Sequence, residues 1–316
     1  MTTVAILTHL DPRQTGGQER LIKDLKSALS ADLIYTTVGK WKDCYYLADA
    51  IDFWKMRKEV HDSYDVVIGM DDLSARAFPD ITYMTTPRRA FYDMYFSEPW
   101  YCKLPISVLR QLDQHAIAHQ DAIVAISHTV RSRIWKYYNK QSHVISPCVH
   151  VRDYYWKPPE DYWLSVQRID KWKRVDKQVH AFMLLPDLNL KIVGKGEYNG
   201  SVPPNVEFLG EVPRHQLLDL YAHCRGFITT AIDEDFGLTP IEAMASGKFV
   251  VAPAEGGYLE TVELGCGLLG SPTSLQLADM IQTVEDKGYD HHRCREQSLR
   301  HDYSVFKKSW NDIVGV

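Results

Sequence analysis

Short apolar runs alternate with helical periodicity along the whole chain. Runs rich in Val, Ile and Leu predict buried strands. They lie at 4–8, 31–38, 65–70, 81–86, 121–127, 162–166, 188–194, 206–210, 226–231 and 248–253. Helical patterns separate them, most clearly at 16–30, where Leu21, Leu25 and Leu29 share one face, and also at 215–224 and 303–314. Strand–helix alternation of this kind predicts parallel α/β layers.

The alternation is interrupted once, around residues 146–162. This segment holds Pro147, Pro158 and Pro159 and shows no periodicity, so we interpret it as a linker. A chain of 316 residues is about twice the usual domain length. We therefore predict an N-terminal domain over 1–150 and a C-terminal domain over 151–316, with the last helix able to pack back on the N-terminal domain. In such sheets ligands bind beyond the carboxyl ends of the strands, and we expect the ligand here in a cleft between the two units.

Composition and charge narrow the class of protein. With 45% hydrophobic and 24% charged residues the chain can form two cores, and its net charge of −5 argues against a general nucleic-acid binder. Six cysteines without a C-x-x-C pair predict free thiols in a reducing cytoplasm. The N-terminal run is interpreted as a strand and not a signal peptide, and no apolar window is long enough to cross a bilayer.

Two histidine patterns suggest metal ligands but fit them poorly. His115 and His119 are spaced i, i+4 without the Glu of a zinc protease motif, and the cluster in 290–301 is irregular. Both are better interpreted as surface helix. No metal and no cofactor is expected.

The loop after the first strand, THLDPRQTGGQERL, matches neither G-x-G-x-x-G nor G-x-x-x-x-G-K-[ST]. A dehydrogenase and a P-loop NTPase therefore lose their best support. Gly16 and Gly17 stand directly before a helix, where positive φ values would let a phosphate approach the helix N-terminus. An ordinary loop-to-helix turn explains the pair equally well.

A second candidate loop follows the strand at 162–166. Arg168 and Lys173 are five residues apart near that strand's carboxyl end. Two fixed cations there suit a diphosphate, with Arg as a fork and Lys as a point charge. In isolation a solvated run of charges is the commoner explanation.

The most informative stretch is 227–263, which alternates strands, loops and short helices. The sequence predicts that a helix starts here, with Thr239 as N-cap, Pro240 as first helical residue and Glu242 closing a capping box. Gly247 predicts the end of this helix. Glu234 has no such structural role; in an acidic loop after a strand it suits hydrogen bonds from a polyol. Gly256 and Gly257 are expected to form a flexible loop beside it.

These motifs together resemble a known family. The segment E-D-F-G-L-T-P-I-E-A-M-A-S-G at 234–247 is similar to the E-x7-E signature of retaining glycosyltransferases of family 4. GGQERL resembles their N-terminal Gly-Gly loop, and VQRIDKWKRVD resembles their Arg/Lys element in the form common among O-antigen-type mannosyltransferases. The resemblance covers most of the chain and implies the GT-B fold, α/β with two Rossmann-like domains facing a cleft.

The resemblance also implies roles for individual residues. Arg168 and Lys173 would contact the diphosphate of a nucleotide-sugar donor, and Glu234 would bind the hydroxyls of its sugar. Gly16 and Gly17 would let the N-terminal domain close on the phosphates. The backbone of Phe236, Gly237 and Leu238 would lie against sugar and phosphate, and Glu242 would reach the ribose. One departure is Thr85, where relatives usually carry a histidine that contacts the donor sugar.

The expected function is retaining transfer of a hexose, with mannose suggested by the resemblance, from a nucleotide diphosphate sugar to an acceptor hydroxyl. A sugar phosphorylase and an inactive nucleotide-sugar binding protein stay open, whereas a glycosidase is disfavoured because Glu242 is assigned to a helix start. The acceptor is a glycan, glycolipid or small molecule. The aromatic and basic segments 88–103 and 131–140 would line its groove or rest on an anionic membrane, and a core with solvated charges explains them equally well.

Overall fold

The computed structural model describes residues 2–9, 16–35, 45–93 and 106–315, without the side chains of 45–50, 72 and 73. Two compact units share this chain. Unit 1 comprises Met1–Pro147 and Ser304–Val316, and unit 2 comprises Cys148–Tyr303. Cys44, Cys102 and residues 94–103 of the aromatic segment lie outside the described residues.

Unit 1 is built on a parallel six-stranded sheet in the order β2-β1-β3-β4-β5-β6. Its strands are β1 Val4–Thr8, β2 Asp32–Tyr35, β3 Val66–Met70, β4 Ile81–Met84, β5 Ala122–Ala125 and β6 His143–Val144. Strand β1 is buried along its whole length because it pairs with β2 on one side and β3 on the other, with Ile6 opposite Leu33 and Ile68. This central position explains its uninterrupted apolar run.

Helices cover this sheet, and one of them comes from the other end of the chain. They are α1 Gly17–Leu29, α2 Tyr45–Ser63, α3 Asp71–Ser74, α4 Ile106–Ala118, α5 His128–Tyr138 and α12 Tyr303–Val314. The predicted apolar face of α1 is buried. Trp310 of α12 is wholly buried and packs edge-on against Tyr83 of β4, with 4.9 Å between ring centroids.

Unit 2 repeats the plan with the order β12-β11-β10-β7-β8-β9, also parallel. Its strands are β7 Trp163–Val166, β8 Leu190–Val193, β9 Val206–Gly210, β10 Phe227–Ile228, β11 Val250–Pro253 and β12 Gly267–Gly270. Its helices are α6 Val175–Met183, α7 Arg214–His223, α8 Leu238–Ala245, α9 Tyr258–Thr261, α10 Ser274–Lys287 and α11 His291–Ser298. The ten predicted strands are confirmed in position, most of them shorter than their apolar runs. Strands β6 and β12 were not predicted.

Each sheet contains one point where the strand order reverses. In unit 1 it lies between β1 and β3, because β2 and β3 pair with opposite edges of β1. In unit 2 it lies between β7 and β10, since β8 and β10 flank β7. Loops leaving neighbouring strands in opposite directions open a crevice at the carboxyl ends, and open α/β sheets bind ligands there. We therefore expect the ligand-binding residues of each unit at its crevice.

Candidate functional site

The loop after β7 brings the first predicted cations to the reversal point of unit 2. The Asp170 side chain folds this loop, because Oδ1 accepts hydrogen bonds from the backbone N–H of Trp172 at 2.9 Å and of Lys173 at 3.1 Å. Arg168 lies on the outside, with its side chain 74% exposed and Nη2 3.6 Å from Asp170 Oδ2. The loop thus presents Arg168 to solvent, and it holds Lys173 on a folded turn.

The loop after β10 brings Glu234 to this turn. Lys173 Nζ donates to Glu234 Oε2 at 2.6 Å, although the two residues are 61 positions apart. Their side chains are 21% and 24% exposed, so a ligand can still reach both groups. The structure therefore joins the predicted diphosphate cation and the predicted sugar-binding carboxylate in one charge-assisted hydrogen bond.

Arg174 fastens these loops together, a role that the sequence did not reveal. Its Nε donates to the Thr230 carbonyl at 2.6 Å and its Nη2 to the Ala231 carbonyl at 3.0 Å. The same Nη2 also pairs with Glu255. Only a guanidinium offers so many donors in one plane. The start of α6, the loop that leads to Glu234 and the loop at 254–257 are thereby held in one arrangement.

Gly256 and Gly257 form a tightly packed surface, so the prediction of a flexible loop is wrong. A Cβ atom on Gly256 would lie 2.6 Å from the Glu234 backbone nitrogen, and one on Gly257 would lie 2.5 Å from Phe236 Cα. The Gly257 N–H also donates to the Glu234 carbonyl at 2.6 Å. Side chains are absent here because the backbone of 234–236 occupies their space.

Helix α8 follows directly, and its predicted capping box is not formed. The helix begins at Leu238, so Gly237 and not Thr239 is the N-cap, and no side chain caps it. Gly237 has φ +94, and a Cβ there would lie 2.9 Å from the Tyr258 ring. Pro240 becomes the third helical residue, where its missing N–H costs no intrahelical bond. The predicted end is confirmed, since Gly247 has φ +69 and closes a Schellman turn.

Glu242 does not cap the helix, and its carboxylate makes a buried polar contact instead. Its Oε2 accepts a hydrogen bond from the Tyr221 hydroxyl at 2.9 Å, and Arg214 Nη1 lies 3.9 Å from Oε1. Burial raises the pKa of Tyr221 well above its usual value, so this phenol stays a donor. Phe236 is also buried and packs edge-on against His301, with 5.4 Å between centroids.

Gly16 and Gly17 lie in unit 1, where α1 begins. Gly16 is extended at φ −167 and Gly17 is the first helical residue, so the expected positive φ values are not present. Nearby, Thr85 is buried and its hydroxyl accepts a hydrogen bond from Gln18 Nε2 at 2.7 Å. Among the described residues of both units, no three His, Cys, Asp or Glu side chains gather as metal ligands would. No helix in the described ranges is long and apolar enough to span a bilayer.

The sequence is similar to a known protein family and to several characterised proteins. The model of the glycosyl transferases group 1 family matches residues 152–301. The O-antigen chain mannosyltransferase RfbU of Salmonella typhimurium is 28% identical over 205 residues, which cover 59% of this chain and 57% of that protein. The α-1,3/1,6-mannosyltransferase ALG2 of Saccharomyces cerevisiae is 24% identical, covering 52% of this chain and 47% of its own. The chain thus spans about half the length of these curated relatives.

Solved structures match over almost the whole chain. Sucrose-phosphate synthase of Thermosynechococcus elongatus has a TM-score of 0.83 at 18% identity, covering 99% of this chain and 98% of that one. HepE of Anabaena in complex with UDP and glucose has a TM-score of 0.78 at 17% identity, with both chains covered fully. Residues 152–301 thus match the glycosyl transferases group 1 family model, and the two α/β units have the GT-B glycosyltransferase fold.

Proposed function

We propose that this protein is a glycosyltransferase that moves a hexose from a nucleotide diphosphate sugar to an acceptor hydroxyl with retention of anomeric configuration. The observation that carries the proposal is the Lys173–Glu234 contact at the reversal point of unit 2. It offers a cation for phosphate and a carboxylate for sugar hydroxyls at one place. The mannosyltransferase relatives favour mannose as the sugar, and the UDP complex of HepE supports a nucleotide donor.

The residues of the proposed site contact different parts of the nucleotide-sugar donor. Lys173 and the exposed Arg168 take the diphosphate, whose negative charge grows as the bond to the sugar breaks. Glu234 accepts hydrogen bonds from sugar hydroxyls. The backbone of 236–238 lies beside sugar and phosphate, where Gly237 adds no side chain, and Glu242 is the proposed contact to the ribose.

Gly16 and Gly17 complete the proposed donor contacts from unit 1. They start α1, a 13-residue helix, and the first N–H groups of this helix suit a phosphate.

Charge stabilisation by side chains makes a metal ion unnecessary in this scheme. Arg168 and Lys173 supply the positive charge that a divalent cation would otherwise bring to the leaving diphosphate. The acceptor hydroxyl attacks the face from which the diphosphate departs, and a phosphate oxygen takes its proton. The new bond therefore keeps the configuration of the donor.

The acceptor side of the proposal is broader. We propose a glycan or lipid-linked acceptor, met in the cytoplasm or at the membrane surface. The relatives named for O-antigen chain and α-1,3/1,6-mannose transfer favour a glycan.

A thermal-shift panel of GDP-, UDP- and ADP-sugars tests the donor. A ligand at about 100 times its Kd stabilises the native state by roughly 2.7 kcal/mol, which is a clear rise in the unfolding midpoint. Transfer with the stabilising donor is then followed as released nucleotide diphosphate. The anomeric configuration of the product is read by NMR, and an inverted product would contradict the retaining scheme.

Variants of the β7 loop test the assignment of residues. Arg168→Ala and Lys173→Ala should each lower transfer. Lys173→Ala should lower it about 100-fold, the usual cost of losing one preorganised donor, and Arg168→Ala by less, because the Arg168 side chain is 74% exposed. Lys171→Ala is the matched control, because it removes the same charge from an exposed position of the same loop. Near wild-type transfer by both test variants would show that the diphosphate lies elsewhere.

A further inference from the structure

Two cysteine thiols meet in unit 2, away from the residues of the proposed donor site. Cys294 lies in α11, within the histidine-rich segment 290–301, and Cys266 stands directly before β12. Cys266 is 2% exposed and Cys294 is wholly buried. The Cys294 S–H donates a hydrogen bond to the Cys266 sulfur, so the two sulfur atoms lie side by side. The two cysteines are far apart in the sequence, and the fold alone brings them together.

Contacts of the neighbouring residues hold this thiol pair in place. The Cys266 S–H donates to the Arg293 carbonyl at 3.5 Å, one residue before Cys294. In the opposite direction, Arg293 Nη2 donates to the Leu264 carbonyl at 2.9 Å. The turn before β12 and the first turn of α11 are therefore joined by hydrogen bonds next to the sulfur atoms. A disulfide requires the two Cβ atoms to be close, and a pair whose sulfur atoms already meet needs little backbone movement to form one.

The two thiols differ in acidity. Burial raises the pKa of Cys294, and the neighbouring Cys266 raises it further. Burial raises the pKa of Cys266 as well, but the Arg293 guanidinium and the Cys294 S–H stabilise its thiolate and oppose part of that rise. The thiolate is the form that reacts with oxidants, and a neighbouring cation favours it. Cys266 is therefore the thiol that reacts first, and Cys294 is placed to react with its product.

Cys266 lies directly beneath a surface turn. Residues 263–265 are exposed, and Leu264 is 85% exposed. Gly265 has φ +90, and a Cβ there would lie 2.4 Å from Arg293 Cζ, so the exposed guanidinium lies over this turn. Exposed turns open at a lower free-energy cost than core elements. A local opening of this turn gives a small oxidant a short path to the Cys266 sulfur.

We propose that Cys266 and Cys294 form a redox modification site, which a hydroperoxide converts into an intramolecular disulfide. The Cys266 thiolate attacks one peroxide oxygen, the O–O bond breaks, and the other oxygen leaves as hydroxide or alkoxide. Cys266 is then a sulfenic acid. The Cys294 sulfur attacks the Cys266 sulfur, the S–O bond breaks, and the departing hydroxide leaves as water with the Cys294 proton. Two electrons pass from the thiols to the peroxide, and a thiol reductant reverses the change by exchange.

Peptide mass spectrometry of the full chain tests this site. Native protein is treated with hydrogen peroxide, its remaining thiols are blocked with N-ethylmaleimide, and its peptides are analysed without reduction. We expect two peptides joined through Cys266 and Cys294, which dithiothreitol separates. Protein that is unfolded in urea before the oxidation should lose the preference for this pair, because the contacts that hold the sulfur atoms together are then absent.

Serine variants test the order of the two steps. Cys294→Ser should leave Cys266 as a sulfenic acid, which dimedone labels, because the second thiol is missing. Cys266→Ser should leave Cys294 unlabelled and without a bridge. Cys224→Ser is the matched control: Cys224 is also buried in unit 2, but its thiol donates to the Tyr221 carbonyl at 3.4 Å. This variant should form the Cys266–Cys294 bridge as the wild type does.

The wild-type measurement decides the proposal even if a variant does not fold, and circular dichroism establishes which variants are native. Blocked Cys266 and Cys294 in the oxidised native protein would overturn the proposal, and so would an equal yield of the bridge from unfolded chains. Dimedone on Cys294 in the Cys266→Ser variant would overturn the assigned order. Donor binding plays no part in this measurement, so failure of the proposed function would leave its result unchanged.

Discussion

The Lys173–Glu234 contact should weaken the binding of a nucleoside diphosphate. A bare nucleoside diphosphate that binds Lys173 must first replace Glu234, whose Oε2 lies 2.6 Å from Nζ. A complete nucleotide sugar replaces it as well, but then offers hydroxyls to the released carboxylate. We therefore expect Glu234→Gln to bind the bare diphosphate more tightly than the wild type and to lose preference for the nucleotide sugar.

The size of this effect follows from the contact. A hydrogen bond between charged groups contributes about 1.5–3 kcal/mol, which corresponds to roughly tenfold to a hundredfold in Kd. The side chains are 21% and 24% exposed, so solvent screens part of the attraction and the lower end applies. Glu234→Gln should bind GDP or UDP roughly ten times more tightly, and Lys173→Gln should bind it more weakly.

Isothermal titration calorimetry with GDP, UDP and the corresponding sugars measures both affinities. Asp279→Asn is the control, because it removes the same formal charge from the exposed face of α10. If Glu234→Gln binds the diphosphates no better than this control, Glu234 does not compete for Lys173. If Lys173→Gln also binds them normally, the nucleotide does not use this crevice.

Three further predictions concern the surroundings of the pair. Arg174→Lys should weaken donor binding about tenfold in calorimetry, because one ammonium cannot replace a guanidinium that meets two carbonyls and a carboxylate; unchanged affinity would refute the role of this contact. Gly257→Ala should lower the free energy of unfolding by about 1–3 kcal/mol in urea titrations, since its Cβ would meet Phe236, and an unchanged midpoint would show that the loop yields freely. His301 should make stability depend on pH, because burial lowers its pKa to about 4 while the unfolded chain protonates near 6.5. The contribution of His301 to the free energy of unfolding is fully present above pH 6.5. It falls by up to about 3 kcal/mol towards pH 4, because His301 binds a proton in the unfolded chain before it does so in the folded one. Urea unfolding between pH 7.5 and 4 should show this slope, and His301→Phe should flatten it; equal slopes would assign the acid sensitivity to other groups.

The apolar pattern was sufficient for the central strands because they are buried along their whole length. Strand β1 is a continuous apolar run, and the predicted and observed limits agree. Strand β6 has only two residues and β12 has glycine at both ends, so neither forms a recognisable run. A strand can be recognised from the sequence when burial requires a run of apolar residues. These two short edge strands have no such run.

The site was predictable only in part. Lys173 and Glu234 were singled out by their residue types and by family resemblance, and the strand order explains why they meet. Arg174 was missed because its partners are backbone carbonyls more than fifty positions away, which leave no mark on the sequence. The capping box failed for a related reason, since the positive φ of Gly237 and the packing of Tyr258 decide where α8 begins.

The return of the chain to unit 1 has a consequence for synthesis on the ribosome. Unit 2 is contiguous from Cys148 to Tyr303 and can complete its core as soon as that stretch has emerged. Unit 1 emerges first but must wait for Trp310, which is wholly buried against Tyr83. Because domains generally fold as units during translation, the nascent unit 1 should stay open at this position until the final helix arrives. Of the two units, the one that emerges earlier is then the later one to close.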